Sequence, residues 1–89
     1  MARMEMNTVS AMPVLPAAAS AEACYEFGLL HASGRAGKVD LVAAQTWFNI
    51  AMARGCGRAA EHRRELATEM TREELDQALR EARSYLTKH

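Results

Sequence analysis

Residues 20–59 read SAEACYEFGLLHASGRAGKVDLVAAQTWFNIAMARGCGRA, and this stretch decides the fold. Ser20 stands where a helix N-cap belongs. Ala23, Phe27, Leu30 and His31 then recur at i, i+4, i+7 and i+8, which puts them on one stripe of a helix. Gly34 and Gly37 end that helix, because a helix C-terminus often needs a residue in the left-handed conformation. Asp40 caps a second helix. Its Leu41, Ala44, Phe48 and Ala51 form one apolar line, and Ala43, Trp47 and Ile50 form the neighbouring one. So wide an apolar face predicts burial on more than one side. Gly55 and Gly57 bracket the turn that follows.

Toward the C-terminus, a third helix is predicted over residues 58–70, with Ala59, Leu66 and Met70 on one face and Ala60 and Ala67 beside them. Thr71-Arg72-Glu73-Glu74 matches a capping box, in which a hydroxyl and a carboxylate each satisfy an orphan backbone N–H. Thr71 therefore opens a fourth helix, with Leu75, Leu79, Ala82 and Leu86 as its seam. Short turns favour antiparallel neighbours, and no segment reads as a strand. The expected fold class is all-α, a short α/α solenoid of about four antiparallel helices. Its expected core is Ala23, Phe27, Gly28, Ala44, Trp47, Phe48, Ala51, Leu66, Leu75 and Leu79. Gly28 has no side chain and so lets the second helix lie against the first. Trp47 offers the largest burial, and its indole N–H is expected to find a polar partner.

Toward the N-terminus the periodicity stops. Residues 1–19 read as a flexible leader and residues 20–89 as the helical domain. Ala19-Ser20-Ala21 looks like a signal-cleavage site, but Glu5, Asn7, Thr8 and Ser10 interrupt the stretch, and Pro13 and Pro16 flank its one apolar patch. No apolar run approaches the roughly 20 residues that cross a bilayer, so no membrane partner is expected. The 89 residues carry 11 Lys+Arg against 11 Asp+Glu, and this zero net charge disfavours a protein devoted to phosphate backbones. A chain this short buries only about 60% of its unfolded surface, so its core is small. Cys24 and Cys56 are too few for a disulfide framework, and neither lies at metal-ligand spacing from His31, His62 or His89. A reducing compartment fits, hence a cytoplasmic placement with the periplasm as the alternative.

In this register the chain resembles the Sel1-like repeats, α/α solenoid units related to tetratricopeptide repeats. The pattern is carried by Ala23, Phe27-Gly28, Gly34, Asp40, Ala44, Trp47, Ala51, Gly55 and Ala59. His31 stands where an aromatic is usual, Ala36-Gly37 shifts the second turn glycine, and Cys56 interrupts the opening of the next helix. The resemblance covers residues 21–60, with residues 58–86 like the degenerate helices that close such arrays. It implies a Sel1-like helical repeat domain and an adaptor or scaffold role of the kind found in bacterial signalling.

Candidate chemistry is sparse, and no catalytic, cofactor or metal residues are assigned. Cys24 has His31 two helical turns away and no orienting group. Glu61, Glu65 and Glu69 with His62 read as a solvated face among Arg58, Arg63, Arg64 and Arg72. The expected function is a non-catalytic protein-protein interaction module that holds a protein or peptide, with Tyr25, Leu29 and Met52 as an exposed apolar patch. The alternative is a helix-turn-helix-like nucleic-acid binder using Arg58, Arg63 and Arg64, against which Glu61, Glu65 and Glu69 would repel phosphate. One full repeat leaves the outer face of the first helix without a neighbour. A homodimer contact is expected to cover it, in preference to the leader around Met12, Val14 and Leu15 or a partner protein.

Overall fold

The computed structural model describes residues 20–88; the proposed leader, with Met12, Val14 and Leu15, lies outside them. Four helices run in order, α1 (Ala21–Ser33), α2 (Leu41–Ala53), α3 (Arg58–Ala67) and α4 (Arg72–Lys88), with no strand among the described residues. The fold class is all-α.

Local sequence chemistry sets the helix ends. Ser20 Oγ accepts the Ala23 N–H at 3.0 Å, and Asp40 Oδ1 accepts the Ala43 N–H at 3.0 Å, so α1 and α2 each start at the expected cap. Gly34 closes α1 with φ +83°, a conformation a side chain would disfavour. The Asp40 N–H donates to the His31 carbonyl at 3.0 Å, tying the end of the loop back to α1. The capping box forms in both directions: the Glu74 N–H donates to Thr71 Oγ1 at 3.1 Å, and the Thr71 N–H donates to Glu74 Oε1 at 2.9 Å. α3 ends at Ala67, short of the expected residue 70. The N–H groups of Thr68, Glu69 and Met70 donate three residues back, to Glu65, Leu66 and Ala67, which tightens the chain out of α geometry ahead of the Thr71 cap.

Packing is organised around α2, which lies against each of the other three helices. Residues 43–51 are all buried, so the wide apolar face is in fact a helix enclosed on every side. Trp47, Phe48 and Ile50 are its largest fully buried side chains. At ~1.5–3 kcal/mol each, they supply a large part of the burial energy of so small a domain. Phe27 and Tyr85 place their rings 5.5 and 5.6 Å from the Trp47 ring, and His62 stacks on Phe48 at 5.7 Å. Trp47 Nε1 is buried and has no hydrogen-bond partner among the described residues, contrary to the expected polar contact; the rings of Phe27, tilted, and Tyr85, edge-on, pack against the indole.

Several expected positions move. α1 buries Cys24, Tyr25, Gly28 and His31 rather than a stripe through Ala23, Phe27 and Leu30. The bare Cα at Gly28 is where the Phe48 ring enters, and this turns the α1 contact face about one residue from the apolar pattern. Ala23 and Phe27 are half-buried, and so are Leu66 and Leu75. Leu79 is 40% exposed and is not a core residue. α4 approaches α2 through the small side chains Ala78 and Ala82, and Leu79, about 100° round the helix from Ala78, falls on the rim. The outer side of α1 carries exposed Glu22 and Glu26.

A Cβ at Gly28 would sit 2.4 Å from Phe48 Cε1, a ring that is itself only 1% exposed and has nowhere to go. Gly28→Ala should therefore destabilise by ~1–3 kcal/mol from overpacking, outweighing the roughly 1 kcal/mol gained in helix propensity. Gly57→Ala, with open space at the site, should be neutral or stabilising by up to about 1 kcal/mol. Denaturant unfolding of the two variants checks the contrast, and equal midpoints would contradict the packing. Separately, Thr71→Ala should cost ~0.5–2 kcal/mol and accelerate amide exchange mainly over the first turn of α4. Exchange that quickened uniformly along the chain would show that the cap acts on more than its own helix.

Candidate functional site

α2, α3 and α4 do not close completely on one another. Between them lies an open recess of about 220 Å³ lined by Gln45, Asn49, Arg63, Leu75 and Leu79. Gln45 and Asn49 are one turn apart on α2, Arg63 projects from α3, and the two leucines form the α4 wall. A helix as apolar as α2 would be expected to bury only hydrocarbon, yet Gln45 is 3% and Asn49 9% exposed. Both carboxamides are held by Arg63: Gln45 Nε2 donates to its backbone carbonyl at 3.1 Å, and an Arg63 guanidinium N–H donates to Asn49 Oδ1 at 3.1 Å. Sequence reasoning passed over Gln45 and Asn49. The available signal was two carboxamides at i, i+4 inside an otherwise apolar helix.

Two polar groups beside the recess keep hydrogen-bonding capacity. Gln45 Oε1 is buried and finds no donor among the described residues, although a buried acceptor without a partner typically costs ~1–3 kcal/mol. Arg63 has given a hydrogen bond to a neutral amide, and among the described residues no carboxylate lies within ion-pair distance of it. A guanidinium has five N–H donors, so donors remain.

The patch expected at Tyr25, Leu29 and Met52 is not an exposed surface. Tyr25 is 7% exposed, with its ring 6.1 Å from Phe48 and 5.5 Å from His62, and Arg58 lies over its face at 4.6 Å. Leu29 and Met52 are half-buried and packed against the core cluster. A side chain off the main helical seams is buried all the same where a third helix covers it, as His62 and Arg58 of α3 cover Tyr25. The three arginines weighed for nucleic acid also part company. Arg58 pairs with Glu22, Arg63 turns to Asn49, and Arg64 is exposed. On a helical wheel they fall about 100–140° apart, so they make no common basic face.

Cys24 and Cys56 are free thiols buried in the core. Burial pushes the Cys24 thiol above its ordinary value near 9, the Arg54 guanidinium beside it pulling more weakly the other way. Among the described residues no three His, Cys, Asp or Glu side chains are grouped to hold a metal ion, and no helix is long and apolar enough to cross a membrane. No family model, curated protein or solved structure matches the chain.

The Cys24 environment gives a pH dependence. As pH rises through 9 the unfolded chain loses the thiol proton while the native chain keeps it, so alkali favours unfolding. Unfolding free energy should decline above pH 9, and Cys24→Ala should flatten that decline relative to the unaltered chain. Parallel pH profiles for the two proteins would refute it.

Proposed function

We propose that the chain is a non-catalytic protein-protein interaction module, an adaptor or scaffold of the Sel1-like kind, which holds a partner segment in the recess between α2, α3 and α4. One observation carries the proposal. A guanidinium with no carboxylate partner among the described residues, two buried carboxamides and two leucines, one of them on the rim, line a single opening. Interfaces pair apolar walls, which supply burial, with a few placed polar groups, which fix register and orientation. The Sel1-like resemblance supports the same role. Two free core thiols suit the reducing compartment that a cytoplasmic adaptor occupies. The nucleic-acid alternative needs Arg58, Arg63 and Arg64 on one face, and their divergence favours the protein-binding role instead.

The full chain, immobilised and exposed to lysate of its source cells, should retain a protein that Arg63→Glu releases and Arg35→Glu, in the exposed α1–α2 turn, keeps. Retention of nucleic acid that vanishes with salt, or a captured set unchanged by Arg63→Glu, would count against the recess as the binding surface.

A further inference from the structure

We propose that the recess recognises an internal acidic residue in an extended segment of the partner. Its carboxylate sits on the Arg63 guanidinium, the fixed Gln45 carboxamide lies alongside as a neutral wall, and an adjacent apolar side chain lies on Leu75 and Leu79. This deepens the interaction-module reading above and rests on it.

Charge decides the first element. Among the described residues Arg63 is the one charged side chain lining the recess, and the groups that hold it, the Asn49 amide and the Gln45 side chain, are neutral. They orient the guanidinium without cancelling its charge, and a planar fork held in place is suited to a carboxylate. Donor and acceptor chemistry decides the second. Gln45 Nε2 faces the Arg63 carbonyl, and only the amide nitrogen can donate there, so the orientation of the Gln45 side chain is set. Turning the amide over would place oxygen against oxygen. The Gln45 carboxamide is thereby fixed and uncharged, and it offers the incoming carboxylate no rival to Arg63.

Size decides the third. About 220 Å³ is below the ~300–1,000 Å³ of sites that enclose a cofactor or other small molecule. It accommodates one residue with its flanking peptide groups. The recess is open to solvent rather than enclosed, as a docked segment requires, and Leu79 on its rim supplies apolar surface for the neighbouring side chain.

The test uses the full chain labelled with ¹⁵N and four peptides blocked at both ends: Ala-Glu-Leu-Ala-Ala, Ala-Leu-Glu-Ala-Ala, and the same two with Gln in place of Glu. At least one Glu peptide should shift the side-chain amide signals of Gln45 and Asn49 and the Arg63 Nε signal. It should bind about tenfold more tightly than its Gln counterpart. Arg63→Gln should erase that preference, with the Trp47 indole signal reporting whether the variant is folded. If it is not, the Glu-against-Gln comparison on the unaltered chain still decides. Equal affinities for Glu and Gln peptides would overturn acidic recognition and leave the interaction reading standing. Binding seen only when the blocked end is replaced by a free C-terminal carboxylate would overturn the internal residue in favour of a chain end. No shift with any peptide would overturn the proposal outright, and the capture of a protein sensitive to Arg63→Glu would then show that the interaction reading survives it.

Discussion

The contact between the Phe48 ring and the bare backbone at Gly28 is the constraint on which the rest of this structure depends. A ring can lie against a helix at that distance only where no Cβ intervenes. The contact brings α1 close enough for Cys24, Tyr25 and His31 to be buried, and it holds the ring on which His62 stacks. α3 is thus positioned through the same ring that docks α1. Trp47 does the corresponding work toward α4, with Tyr85 edge-on to it. One helix therefore acts as the core of a four-helix domain, and the other three are fixed by what they bury against it.

This economy has a consequence for the surface. Three helices around a central one cover it completely only if their side chains meet at every seam. α4 meets α2 through alanines, which allow close approach but do not reach across to α3. The gap is filled part-way by Arg63 and by the two carboxamides of α2, and the remainder is the recess. Its polar groups arise from the same geometry: a helix enclosed on all sides must bury whatever lies between its apolar lines, and here that is Gln45, Thr46 and Asn49. Thr46 is satisfied within α2 by the Val42 carbonyl at 2.7 Å, so it makes no demand on a partner. Gln45 and Asn49 look outward to α3 instead, and only Gln45 is left with an acceptor unused.

Exposed electrostatics contribute little to holding the fold. The Arg58–Glu22 pair is well solvated on both sides, and such pairs are typically worth ~0–1 kcal/mol. The placement of Arg58 matters more, since its guanidinium covers the Tyr25 ring and helps seal the α1–α3 flank.

What the sequence by itself determined was local. The Ser20 and Asp40 caps, the left-handed Gly34 and the reciprocal Thr71–Glu74 box need only near neighbours in the chain, so the helix starts and the turn after α1 were legible from spacing. So was the breadth of the α2 apolar face, which periodicity reports directly. The tertiary structure alone decided which degrees of each stripe face inward. Ala23 against Cys24, and Leu79 against Ala78, differ by about 100° of helix rotation, a choice that depends on how closely the facing helix can approach. The approach depends in turn on Gly28, Ala78 and Ala82, whose small size takes effect only through the helix that each one faces. For the same reason the burial of Tyr25 and the α3 partner of Gln45 are not legible in the sequence: a side chain's partner on a third helix has no fixed spacing in the chain.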